Sequence, residues 1–157
     1  MEEKTNVMRI LEQKKIAYQP HSYVTTDAVS GTEVAAVLGQ DPKRVFKTLV
    51  TVAKSGNHYV FVIPVEKELD LKKVAKAAGD KKVEMIHMKD LLPLTGYIRG
   101  GCSPVGMKKQ YPTVFHETAL DYDTIYISGG RIGAQVELAP RALLELLGAS
   151  TADIIVS

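Results

Sequence analysis

Residues 95–106 read TGYIRGGCSPVG and set Gly96, Gly100, Gly101 and Gly106 around Cys102, the one cysteine of the 157-residue chain. A lone thiol in a glycine-dense loop suggests a nucleophile. The glycines suggest a different chemistry. Where side chains are missing, backbone N–H groups can approach a ligand closely, and two adjacent ones can hold a carbonyl oxygen or an oxyanion. Ser103 adds a small hydroxyl, and Pro104 fixes the chain just beyond it. The same residues would also build a tight connection between strands, so the loop alone leaves both readings open.

Lys47 is the second candidate. In VFKTLV it shares a strand face with Val45 and Leu49 if side chains alternate. It could be an edge lysine whose stem packs while its ammonium reaches water. It could instead be a fixed cation at the mouth of a pocket, facing a phosphate or a carbonyl oxygen.

Other chemistries find little support. His21, His58, His87 and His116 lack the close pairing of metal ligands, so no zinc site and no other metal is expected. GGRIG at 129–133 lacks the spacing of a phosphate-cradling loop, and no G-x-S-x-G elbow occurs. Asp121 and Asp123 flank Tyr122 and fit a turn or strand edge better than an acid–base pair. Lys72, Lys73 and Lys76, then Lys81 and Lys82, then Lys108 and Lys109 form basic clusters that suit solvated faces or RNA phosphates.

These residues must be positioned by ordinary globular elements. Hydrophobic residues are 45% and charged residues 24%, which favours one packed core over disorder; the net charge of +2 neither demands nor opposes a nucleic-acid partner. A single cysteine excludes an internal disulfide. No apolar run reaches membrane-spanning length, and MEEKTNVMRI lacks the pattern of a signal peptide, so a cytoplasmic protein with no membrane association is expected.

Helices are predicted in TNVMRILEQKK with Thr5 as N-cap, and in SGTEVAAVLG, where Ser30 and Glu33 fit a capping box and Gly39 an end. Another is predicted in LKKVAKAAG, capped by Asp70, and a last one in RALLELLG after Pro140. KDLLPL suggests only a short helical turn. Strands are predicted near Tyr18–Tyr23, in VFKTLVTVA and HYVFVIPV as a hairpin across KSGN, and in KVEMI, TVFHE, TIYISG and AQVELA. The regular βαβ rhythm is missing, which predicts a mixed α/β (α+β-like) fold in one domain over residues 1–157.

The blocks KTNVMRILEQKKI, VFKTLV, PVEKELDLKKVAKA, LTGYIRGGCSPVGMKK and IYISGGRIGAQVEL occur in an order that resembles the YbaK/EbsC-type family, and within it the bacterial Cys-tRNA(Pro) deacylases, over nearly the whole chain. The resemblance implies a mixed, barrel-like sheet with peripheral helices. It also implies a trans-editing hydrolase that clears cysteine wrongly charged onto tRNA(Pro), a substrate that a volume-fitting synthetase pocket rejects poorly. No protein nucleophile is implied: the substrate's own sulfur attacks its ester carbonyl while the protein orients it and stabilises charge.

Carried over by position, Lys47 matches the lysine of the family's F/Y-K-T-L motif, and Gly100, Gly101, Ser103 and Pro104 match its G-G-x-S-P loop. Cys102 falls on the variable x. Tyr23 matches an aromatic position near the pocket, and Gly129 and Gly130 lie in the S-G-G turn. The implied catalytic set is Lys47, Gly101 and Ser103, and the implied substrate-binding set adds Tyr23, Gly100, Pro104, Gly129 and Gly130. The implied partners are Cys-tRNA(Pro) and prolyl-tRNA synthetase, with no cofactor. One departure stands out: the family's K-R-G-L followed by Asp or Gln is here Arg131-Ile132-Gly133-Ala134-Gln135. A related editor acting on another mischarged tRNA such as Ala-tRNA(Pro), and a non-catalytic RNA- or synthetase-binding module, remain alternatives.

Overall fold

A computed structural model of the chain describes residues 4–24 and 26–157. The acidic start at residues 1–3 lies outside them. Helix α1 (Asn6–Gln13) begins where the Thr5 hydroxyl accepts the Met8 N–H at 3.2 Å, and it buries Val7, Met8 and Leu11. Strand β1 (Tyr18–Ser22) follows, then α2 (Gly31–Leu38). The Ser30–Glu33 capping box is complete, and left-handed Gly39 ends α2.

The hairpin forms as the sequence predicts. Strands β2 (Phe46–Val52) and β3 (His58–Pro64) pair antiparallel, with Lys47 opposite Ile63. Helix α3 (Leu71–Ala78) starts at Asp70, whose carboxylate accepts the N–H groups of Lys72 and Lys73. KVEMI yields only β4 (Glu84–Met85), whereas KDLLPL lies within a full helix, α4 (Met88–Thr95), with Pro93 inside it. Proline discouraged that expectation because it removes a backbone donor. Strands β5 (Thr113–His116), β6 (Ile125–Ser128) and β7 (Ala134–Leu138), helix α5 (Pro140–Leu147) and strand β8 (Ser150–Ala152) complete the order.

The expected single barrel-like sheet is replaced, among the described residues, by two sheets. One runs β1-β7-β6 and is antiparallel throughout. The other runs β4-β2-β3-β5-β8, with β5 parallel to both neighbours. They touch through a bridge between Val45 and Tyr126 without closing into a barrel. The reason is local: after β2 and β3 pair as a hairpin, β5 and β8 extend the sheet on the β3 side, away from β6 and β7.

Strand β3 explains its unbroken apolar sequence. Val60 and Val62 face a core shared with α1, α5 and the three-stranded sheet, while Phe61 and Ile63 face a second core with Val74 of α3. A strand buried on both faces has no polar side to alternate. Its partner β2 is half open at Lys47, Thr48 and Leu49, and that opening holds the site.

Candidate active site

A small cavity of about 110 Å³ opens where the two sheets and α2 meet. Tyr23, Val34, Lys47, Gly100, Cys102 and Gln135 contribute to its wall. A larger groove of about 730 Å³ shares Lys47, Gly100 and Cys102 with it and extends over Met85, Met88 and Arg99. The arrangement pairs a compartment of side-chain size with a channel of nucleotide size. The shared residues stand between them.

Lys47 reaches this junction from the half-open start of β2. Half-burial lowers its pKa below the ordinary lysine value, because desolvation disfavours the ammonium, and Glu68 offsets part of that effect. Among the described residues its ammonium forms no side-chain hydrogen bond or ion pair, although its backbone lies in the β2–β3 ladder. It is therefore a cation whose donors face the cavity junction without a side-chain partner among the described residues.

Cys102 also lines both compartments, but burial pushes its thiol up to about 12. A thiol nucleophile needs the opposite shift. Near neutral pH this sulfur is a protonated piece of wall.

The glycine loop behaves less like a ligand cradle than its composition suggests. Gly100 lies in the cavity wall with φ +87°, a conformation that other residues adopt at a cost. Gly101 does not reach the cavity. Its N–H donates to the Ile98 carbonyl at 3.0 Å, and a Cβ there would stand 3.0 Å from the Arg131 Cα. Gly101 thus lets two loops touch backbone to backbone, and its amide is already engaged. Ser103 and Pro104 are buried behind the wall, and the Ser103 Oγ accepts the Val105 N–H at 3.2 Å.

Gly129 and Gly130 likewise lie outside the wall, to which their neighbours Ser128 and Ala134 belong. Gly129 donates to the Ala134 carbonyl at 2.8 Å, closing the turn. Tyr23 is in place at 4% exposure, held by its N–H to the Gly133 carbonyl at 2.9 Å. Of the eight expected site residues, the structure gathers Tyr23, Lys47 and Gly100 around the cavity and sets the other five behind it as supports.

Two wall elements escape sequence reading. Gly31 opens α2 against β3's continuation: a Cβ on it would lie 2.2 Å from Val65 Cγ1. Gln135, a polar residue in a strand, is 3% exposed and pairs with Gln40. The signal for Gln135 was its place in the departure after the S-G-G turn; its hydrogen-bond partner Gln40 is far away in sequence.

The basic and imidazole groups are distributed elsewhere. Lys73 is held by Asp153, the Ile155 carbonyl and Ser157. His21 pairs with Glu137 at 2.9 Å, and His116, 4% exposed, accepts the Ile154 N–H. Among the described residues no group of three or more His, Cys, Asp or Glu side chains could hold a metal ion, and no helix is long and apolar enough to cross a membrane.

The comparisons with known proteins point one way. The chain is 52% identical over 154 residues to a protein of Enterococcus faecalis named as a candidate Cys-tRNA(Pro)/Cys-tRNA(Cys) deacylase, EbsC, a match covering 98% of this chain and 94% of that one. It is 31% identical over 85 residues to the proline–tRNA ligase of Pelobacter propionicus, which takes in 54% of this chain and 15% of the ligase. Among solved structures, a candidate trans-editing enzyme for prolyl-tRNA synthetase superposes with a TM-score of 0.83 at 26% identity, covering 99% of this chain and all of that one. A hypothetical protein, APE2540, superposes with a TM-score of 0.88 at 29% identity, covering 96% and 99%. Residues 25–146 match the aminoacyl-tRNA editing domain, and with the 52% identical relative and the shared fold in agreement, the chain belongs to that family.

Proposed function

We propose that this chain is a trans-editing aminoacyl-tRNA deacylase whose substrate is Cys-tRNA(Pro), and that residues 1–157 act as one editing domain. The observation that carries the reading is Lys47: a half-buried cation without a hydrogen-bonded partner among the described residues, at the junction of a side-chain-sized cavity and a nucleotide-sized groove. The aminoacyl group enters the small compartment and the tRNA end lies in the groove, so the ester carbonyl falls beside Lys47. The relative of 52% identity supports the choice of cysteine, and the proline–tRNA ligase match supports tRNA(Pro). Prolyl-tRNA synthetase is the natural partner and the cytoplasm the natural setting.

The nucleophile is the substrate's own sulfur. Its thiolate attacks the ester carbonyl carbon, an S–C bond forms, and the C–O bond to the ribose breaks. The ribose oxygen takes a proton and leaves with the tRNA; water then opens the thiolactone to cysteine. Lys47 stabilises the negative charge on the carbonyl oxygen, and the cavity wall holds the sulfur in line. The raised pKa of Cys102 supports assigning the attack to the substrate.

A deacylation panel tests this. Cys-tRNA(Pro) should be cleaved much faster than Ser-tRNA(Pro), because a hydroxyl attacks poorly without a base. Methylating the substrate sulfur should abolish cleavage. Comparable turnover of the serine or S-methyl substrate would refute the mechanism, and a preference for Ala-tRNA(Pro) would refute the substrate.

A further inference from the structure

Gln135 brings a neutral amide to a cavity wall that also holds Tyr23, Lys47, Thr48 and Ser128. That amide is locked. Gln40 Nε2 donates to Gln135 Oε1 at 2.7 Å, and Gln135 Nε2 donates back to Gln40 Oε1 at 2.9 Å. A closed amide pair of this kind fixes both planes, because rotating either side chain breaks two bonds in a partly buried place.

Gln40 is not part of the wall. It follows Gly39 at the end of α2, where its own N–H is held by the Ala35 carbonyl at 2.9 Å. Helix α2 is therefore fastened at both ends, with Gly31 packed on Val65 and Gln40 bonded to β7. Val34, midway along the helix, forms part of the cavity wall.

We propose that Gln40 is a positioning residue that sets the amino-acid specificity of the site, by fixing the Gln135 amide and the distance of α2 from β7. The inference rests on the editing reading. With the pair closed, Gln135 keeps one N–H and one lone pair, enough for a small polar group such as the amino or thiol group of the bound aminoacyl moiety. With the pair open, the amide can turn either face to the cavity and α2 loses one fastening. Polar discrimination and size discrimination then weaken together.

The test compares Gln40→Ala, Gln40→Glu, Gln135→Ala and the Gln40→Ala/Gln135→Ala double variant on Cys-, Ala- and Ser-tRNA(Pro). Gln40→Ala should lower kcat/KM for the cysteine substrate by roughly tenfold and the others by less, narrowing the ratio between them. Gln40→Glu keeps the shape, but its carboxylate only accepts hydrogen bonds and faces Gln135 Oε1. Either orientation of the Gln135 amide then keeps one bond and sets its oxygen against a carboxylate oxygen, so the amide should lose its single fixed plane and the ratio should narrow without unfolding the chain. Because Gln40 acts through Gln135, the double variant should be no slower than Gln135→Ala. In NMR, the Gln135 side-chain amide protons should exchange slowly in the parent chain and rapidly in Gln40→Ala. An active parent with unchanged ratios, additive losses or unchanged Gln135 exchange overturns this inference alone. A parent inactive on every aminoacyl-tRNA overturns the editing reading and this one with it.

Discussion

Replacing Lys47 with methionine keeps the length of the side chain and removes its charge. Two unit charges about 4 Å apart attract by roughly 1 kcal/mol in water and roughly 4 kcal/mol at the intermediate dielectric near a protein surface. Lys47 is half-buried, so its hold on the ester oxygen should fall between those limits. At about 1.4 kcal/mol per decade, Lys47→Met should lower kcat/KM from about fivefold to about a thousandfold. Stability should move the other way. Burial depresses the pKa of Lys47 in the folded chain, so below that pKa the charge costs stability, and the cost fades as pH rises towards the unfolded value. At neutral pH the variant should therefore melt no earlier than the parent. The assay is initial-rate release of cysteine from Cys-tRNA(Pro), corrected for spontaneous hydrolysis, beside a thermal melt. The parent rate should rise with pH as the substrate thiol ionises and fall again, below the ordinary lysine range, as Lys47 loses its proton. The falling limb should be missing in Lys47→Met. A well-folded variant with parental rate and an unchanged pH profile would refute the role given to this residue.

Cys102→Ser should retain most activity, and iodoacetamide at neutral pH should label Cys102 slowly, since burial holds its thiol near about 12; near-total loss of turnover would make Cys102 the nucleophile. Gly31→Ala should destabilise by about 1–3 kcal/mol and slow editing, because its methyl collides with Val65, and Val65→Ala should restore part of both in melts and rate assays. Gly101→Ala should lower the melting temperature before it lowers kcat, since its Cβ meets the Arg131 backbone and not the cavity; loss of kcat in a chain of unchanged stability would place Gly101 at the reacting atoms. Ser103→Ala should cost about 1 kcal/mol through its lost bond to the Val105 N–H, with kcat nearly unchanged in the same assays.

What could be read from the sequence was what neighbouring residues decide. Thr5, Ser30 with Glu33, Asp70 and Pro140 each announce a helix start, and each helix begins there. KSGN between two β-rich runs announces the hairpin. Strand β8 was not legible, because Ser150–Ala152 is three small residues that become a strand only by lying beside β5. The division into two sheets was hidden for the same reason, since it depends on which edge of the hairpin the later strands join. In the site, Lys47 was visible as a charge in an apolar strand. Gly101 and Ser103 belong to a recognisable motif, yet composition cannot distinguish a loop that cradles a ligand from one that packs on another loop. Gln135 stood out only as part of the departure after the S-G-G turn, and its pairing was hidden because its amide partner Gln40 sits 95 positions away.

The pairing of β1 with β7 sets Tyr18 opposite Leu138, so one wall of the cavity joins the two ends of the chain. Tyr23 arrives early in synthesis, Lys47 and Gly100 later, and Gln135 nearly last. Contacts of such long sequence separation delay folding, because loop entropy is lost before the contact is gained. A nascent chain on the ribosome can complete the β2–β3 hairpin, but it cannot enclose the cavity until β7 has emerged. A truncated translation product ending before residue 134 would present Lys47 on an open hairpin with no compartment beside it. Such fragments should carry no editing activity, and only a chain synthesised through β7 acquires it.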